Sequence, residues 1–392
     1  MLFEQSVLSP RKCTIHQFPK DLAKSACFAK VYEETDLEVF ENPGLKRWMC
    51  NPKFVVLGTG GSSLGGRVIQ EISGRQNVKF IDNLDPNTLG KVLESINPEE
   101  TGFLSISKSG ETLETLCQTI LVLNILERIP KEKREDRFVV ITEAGKSSLM
   151  EIARRFNFLC LEHPKNIGGR FSIFSLVGML PAALCGMDPL KIRSGGKKVL
   201  ENQLIDVAKG ASFVLSNLHR KIFQHVSFIY SDKLANFGLW LAQLYAESTG
   251  KSGAGVTPIT ALGAMDQHSQ LQLYLDGPRS KCFTFFFEKQ ETSQKISVRF
   301  PLPTSLIYLK DKLVTEIFRA QHDATVTTLL ERRCPVRRIE FSTITSEILG
   351  ALFMHFMLEV AFVGKQMGIN PFDQPAVERG KALTKELLWK IS

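Results

Sequence analysis

From Lys53 onward, short apolar runs rich in β-branched and aromatic residues alternate with longer stretches of helical period. The short runs are Lys53–Leu57, Val78–Ile81, Thr101–Ile106, Phe138–Ile141, Phe156–Leu159, Val226–Tyr230, Lys281–Phe287 and Arg338–Phe341. Between them, residues 110–125 place Leu113, Leu116, Ile120 and Leu123 at steps of three and four, the spacing of one helix face. Further helices are expected over 171–185, 233–247, 266–275 and 345–366. This alternation predicts an α/β protein with doubly wound parallel sheets and helices on both faces, whose ligands bind at the carboxyl ends of the strands. The break at Gly186-Met-Asp-Pro-Leu190 divides the alternation in two. The expected organisation is an N-terminal helical extension (1–48, with an amphipathic helix over 22–31), a first subdomain (49–190), and a second (191–392) with a C-terminal helix.

Two strand-to-helix turns stand out. Gly58-Thr-Gly-Gly-Ser-Ser-Leu-Gly-Gly66 follows the first run, and its glycines, with Gly61 and Ser62 at the centre, let backbone N–H groups approach an anion at a helix N-terminus. No Gly-Lys-Ser/Thr follows, so it is not a P-loop. The second turn is Ser105-Ile-Ser-Lys-Ser-Gly-Glu-Thr112, where Ser107, Ser109 and Thr112 set hydroxyls beside the first-turn donors of a helix and Lys108 adds charge. Single serines and threonines are ordinary N-caps, but this grouping fits a phosphate.

The net charge of +8 favours anionic partners. The basic residues are dispersed, without a stripe interleaved with aromatics or a nucleic-acid motif. They read as a solvated surface with excess lysine and no nucleic-acid partner is expected; a phosphorylated metabolite satisfies the charge equally well. With 43% hydrophobic and 23% charged residues the chain has the composition of a soluble globular protein. No signal peptide or membrane span is read, the eight cysteines lack ligand-like spacing, and a cytoplasmic setting is expected.

The Ser-Lys-Ser-Gly-Glu-Thr turn resembles the phosphate loop of the sugar-isomerase (SIS) fold, and the first turn resembles that of the glucose-6-phosphate isomerase family. Three more stretches resemble that family in the same order. They are Ile167-Gly-Gly-Arg-Phe-Ser172, Ala246-Glu-Ser-Thr-Gly-Lys251 with Asp266-Gln-His268, and Asn370-Pro-Phe-Asp-Gln-Pro-Ala-Val-Glu-Arg-Gly-Lys381. The resemblance spans residues 58–381, with departures at Thr59, at Pro375-Ala376 and in the Ser-Lys-Ser-Gly-Glu loop itself.

The resemblance implies interconversion of glucose 6-phosphate and fructose 6-phosphate in glycolysis and gluconeogenesis. Moving a proton from C2 to C1 through a cis-enediolate needs one base, a cation for the oxyanion, and groups to open the sugar ring. Glu247 sits on the last turn of an apolar-faced helix before Gly250, against the negative end of the dipole. By spacing alone it reads as a solvated terminal glutamate; the resemblance assigns it the proton transfer. Arg170, after two glycines, supplies a permanent charge and several donors, and the resemblance gives it the intermediate.

By resemblance too, His268 opens the ring from the neighbouring subunit of a homodimer and Lys381 assists, while Gln374, Gly61 and Ser62 contact substrate. His355, in an apolar run, reads instead as a core residue. No metal or cofactor is expected. Two alternatives stay open: a bifunctional phosphoglucose/phosphomannose isomerase, and a non-catalytic SIS-type sugar-phosphate-binding module, which would not need Glu247, Arg170, His268 and Lys381 together.

Overall fold

The computed structural model describes residues 2–8, 16–19, 22–23, 26–29, 36–290 and 293–391. Its strands are β1 (Glu4–Leu8), β2 (Lys53–Leu57), β3 (Val78–Ile81), β4 (Thr101–Ile106), β5 (Phe138–Thr142), β6 (Leu159–Glu162), β7 (Gln224–Tyr230), β8 (Thr257–Leu262), β9 (Lys281–Glu288) and β10 (Val336–Phe341). They form two sheets of order β3-β2-β4-β5-β6 and β1-β10-β9-β7-β8. The wiring repeats: β2 lies between β3 and β4 as β7 lies between β8 and β9, all parallel.

The second sheet departs from the all-parallel expectation at one edge. β1 runs antiparallel to β10, with Glu4 opposite Glu340 and Leu8 opposite Val336. Residues 4–8 are therefore a strand rather than part of a helical extension. They cover the outer row of β10 donors and acceptors that would otherwise stand open. The helix expected over 22–31 falls largely outside the described residues; within it, 22–23 are helical and 27–29 form a 3-10 turn.

Other differences have local causes. The run at Phe156 is not a strand: helix Ser148–Arg155 closes through Asn157 at φ 55° with Phe158 N–H on the Ala153 carbonyl, and β6 starts only at Leu159. The freed Phe158 ring packs 4.7 Å from Phe138. The helix expected over 171–185 begins at Leu176, because the Ser175 hydroxyl turns back to the Ser172 carbonyl and accepts from Val177 N–H. β8 was not expected; it is an edge strand, where Pro258 is tolerated. In helix Leu113–Leu126 the buried face is offset from the expected one. Thr115, Gln118, Thr119 and Val122 point inward while Ile120 is 51% exposed.

Strand residues alternate between clusters. Val56, Leu104, Val139 and Ile141 of the first sheet share one core with Ile229, Phe286, Ile339 and Phe341 of the second. The opposite faces pack Val55, Leu57, Phe103 and Val140 in one outer cluster and Val226, Phe228, Phe283 and Phe285 in another. Helices Leu64–Ser73, Leu176–Leu184, Ala235–Thr249 and Ser346–Gln366 contribute to the shared core between the sheets. The last is long and apolar enough to span a membrane, but 94% of its apolar window is buried here, which marks it as the central core helix. His355 lies on it, fully buried as expected.

Candidate functional site

The two anion turns sit side by side at the carboxyl ends of β2 and β4. Gly61 explains why the first is glycine-rich: a Cβ there would lie 2.2 Å from the Gly169 carbonyl carbon and 2.6 Å from Arg170 N. No other residue lets this turn touch the backbone that carries Arg170. Ser62 N–H closes the turn on the Thr59 carbonyl. In the second turn, the buried Ser107 hydroxyl bonds the Thr112 hydroxyl (2.9 Å) and accepts from Gly110 N–H (3.1 Å). Gly110 has φ +64°, and a Cβ on it would strike Ser147 Oγ at 2.2 Å. Thr112 precedes helix Leu113–Leu126 without capping it through its side chain. Its first-turn donors thus remain for an anion. Ser109 is exposed and accepts from Glu111 N–H. Lys108 pairs with Glu143 at 3.4 Å, so its charge is partly balanced within the fold.

Arg170 is the hub. It is 2% exposed, and its donors are all directed. Nε reaches Ser248 Oγ (2.7 Å); Nη1 reaches Glu247 Oε2 (3.0 Å) and Gln374 Oε1 (2.7 Å); Nη2 reaches the carbonyls of Pro371 (2.6 Å) and Asp373 (3.0 Å). Burial pulls its pKa below the usual arginine value, opposed by Glu247 and Asp373. The chain thus gathers residues 170, 247 and 374 around one guanidinium.

Glu247 lies on helix Ala235–Thr249, whose expected face (Leu234, Phe237, Leu241, Leu244, Tyr245) is fully buried. Its Oε1 accepts from Gln243 Nε2 at 2.9 Å, one turn earlier. That same Nε2 lies 2.8 Å from where a Gly60 Cβ would stand. Gln243 therefore connects the first anion turn to the carboxylate. Lys251 Nζ bonds the carbonyls of Glu247 and Ser248 and lies 3.4 Å from Asp373.

Sequence reasoning missed Gln243, Ser248, Lys251 and Asp373. The signal for Gln243 was its i, i+4 spacing from Glu247; Lys251 and Asp373 stood inside the quoted blocks without a role.

Lys381 stands on the exposed helix Glu378–Ile391, paired with Glu378 at 2.7 Å. It lines a cavity of about 830 Å³ whose other wall is Thr59, Ser109, Glu111 and Thr112. His268 is not brought to this cluster within the chain. It is exposed on the short helix Asp266–Ser269, and among the described residues its ring has no hydrogen bond. A second cavity of about 740 Å³, at the ends of β7 to β9, contains none of the candidate residues.

The arrangement suits acid–base chemistry on a phosphorylated polyol: an anion cradle, a carboxylate held at both oxygens, and a buried guanidinium beside it. Comparison with known proteins agrees. The probable glucose-6-phosphate isomerase of Methanococcus maripaludis is 33% identical over 349 residues, covering 85% of this chain and 78% of its own. The glucose-6-phosphate isomerase of Rubrobacter xylanophilus is 34% identical over 351 residues, covering 84% and 81%. A hypothetical protein of Thermus thermophilus superposes with a TM-score of 0.79 at 28% identity, over 95% of this chain and 97% of that one. The family described as phosphoglucose isomerase matches residues 51–392. From the threshold of β2 to its last residue, the chain belongs to the phosphoglucose isomerase family.

Proposed function

We infer that this chain interconverts glucose 6-phosphate and fructose 6-phosphate, with the sugar phosphate held by Ser107, Lys108, Ser109 and Thr112 and by the Gly61-Ser62 turn. The observation that carries the reading is the convergence of Arg170, Glu247 and Gln374, contributed from three distant stretches, on one side of the anion cradle. Ring opening is the task of His268 and Lys381. Glu247 then takes the C2 proton and returns it to C1 of the cis-enediolate, whose developing charge Arg170 meets. Gln374 and Gln243 keep the guanidinium and the carboxylate in register.

The active form in this reading is a homodimer in which His268 reaches the partner's site. Two features support it. His268 and its neighbour Met265 are exposed (63% for Met265), and His268 makes none of the hub contacts among the described residues. Helix Glu378–Ile391 leaves Leu383, Leu387 and Ile391, four residues apart on one face, at 41%, 51% and 83% exposure, an apolar stripe of the kind that marks a subunit contact. The setting proposed is the cytoplasm, where glycolytic sugar phosphates are. The test of the reaction is fructose 6-phosphate formation from glucose 6-phosphate in EDTA. Undiminished turnover is expected, and absence of product would end the reading.

A further inference from the structure

Lys251 is not among the groups that touch substrate in the reading above, yet the fold places it with care. It follows helix Ala235–Thr249, the element that carries Glu247. Its ammonium donates to two of the last helix carbonyls, Glu247 O at 3.0 Å and Ser248 O at 3.1 Å. It also faces Asp373 Oδ1 at 3.4 Å. Asp373 belongs to the segment whose Pro371 and Asp373 carbonyls hold Arg170, and which ends in Gln374. Only 13% of the lysine side chain is exposed. Burial works against its charge, Asp373 sustains it, and Arg170 opposes it.

The electrostatics of the base explain the placement. A carboxylate on the last turn of a helix faces the negative end of the dipole, an unfavourable place for the charge that a base must carry. Arg170 counters this, but it does so by occupying one carboxylate oxygen, and it is also needed for the intermediate. A cation bound to the backbone carbonyls instead cancels the field at its source. It leaves the carboxylate's lone pairs to the substrate.

We propose that Lys251 is a positioning residue for the isomerisation, one that neutralises the end of the Glu247 helix and ties it to the Arg170-holding segment. The charged groups recorded around it are Asp373, Arg170 and Glu247, from three separate elements. The proposal rests on Glu247 being the base.

Three variants test it through the pH dependence of kcat/KM. In Lys251→Met the acid limb moves to higher pH by about half to one unit, so activity on the limb, below its midpoint, falls about three- to tenfold. KM for fructose 6-phosphate stays within about twofold of wild type, because no substrate contact is lost. Lys251→Arg restores the limb. Asp373→Asn removes a negative charge and moves the limb the other way, an outcome that mere loss of packing does not produce. An unmoved acid limb in a folded Lys251→Met protein, or limbs moving together in the methionine and asparagine variants, overturns the proposal. If Lys251→Met does not fold, Lys251→Gln, which keeps a donor for the two carbonyls without the charge, should move the limb the same way, and an unmoved limb there overturns the proposal. An active Glu247→Gln enzyme would instead remove the base assignment itself, so the two failures are separable.

Discussion

The Glu247 carboxylate is held at both oxygens, by Arg170 at Oε2 (3.0 Å) and by Gln243 at Oε1 (2.9 Å). A group so fixed is set for proton transfer in one geometry rather than free in solvent. Glu247→Gln keeps the size and the hydrogen-bonding capacity toward Arg170 but cannot take a proton at this pH. Turnover should fall by at least about a thousandfold, while fructose 6-phosphate still binds by calorimetry. Activity near wild type would remove Glu247 from the mechanism.

Shared sites can be tested by mixing. Glu247→Gln and His268→Asn proteins, each inactive alone, are unfolded together and reassembled at equal amounts. If His268 acts across the interface, half the dimers are mixed and each of these has one intact site. About a quarter of wild-type activity should then return. No recovery would place both groups in one chain's site.

Gly61→Ala puts a methyl into the backbone of Gly169 and Arg170, 2.2 Å from the nearest atom. Neither neighbour is the flexible end of a side chain, so the two turns must separate. Activity should drop by about a hundredfold with little change in the far-UV spectrum. A Gly61→Ala enzyme with normal kcat would show that the turns need not touch.

Ser107 links the cradle to Thr112 and to Gly110 N–H. Removing its hydroxyl in Ser107→Ala should raise KM about tenfold, the equivalent of about 1.4 kcal/mol for a lost charge-assisted hydrogen bond. The kcat should change much less. A change confined to kcat would argue against phosphate binding there.

Acid stability depends on a buried histidine that the proposed chemistry does not use. His225 is fully buried, and burial with the nearby Arg337 pushes its pKa down to about 3 from 6.5. The unfolded chain binds this proton at higher pH than the folded one. The stabilisation is therefore complete above pH 6.5 and is lost as pH falls from there toward 3. The loss should amount to a few kcal/mol, on the order of one per pH unit. His225→Gln should flatten the fall of the urea midpoint between pH 7 and pH 4.5. Parallel wild-type and variant curves would show that other groups control it.

Much of this was readable because the signals are local. β2, β3 and β4 occupy the expected residues, since each is a compact apolar run bounded by turn residues. The hub residues Arg170, Glu247 and Gln374 were legible only through the resemblance of their blocks to a known family, since by spacing alone Glu247 reads as a solvated terminal glutamate. What was not readable depends on distant partners. Nothing within residues 4–8 announces a strand, because their pairing lies on β10. Helix Leu113–Leu126 buries Thr119 because Ser105 of β4 offers it a hydroxyl at 2.9 Å, a pairing no helical wheel contains. Gln243 gained meaning only when Gly60 was seen beside it.

The antiparallel pairing of β1 with β10 bears on how the chain is born. β1 waits for a mate made more than 300 residues later. The greasy helix that fills the space between the sheets is later still. The second sheet therefore closes only after β10 and that helix have been made, because contacts so remote in sequence are the slowest to form. Until then the N-terminal half must rely on its own five strands, and truncation near the C-terminus should yield insoluble protein rather than a smaller working one.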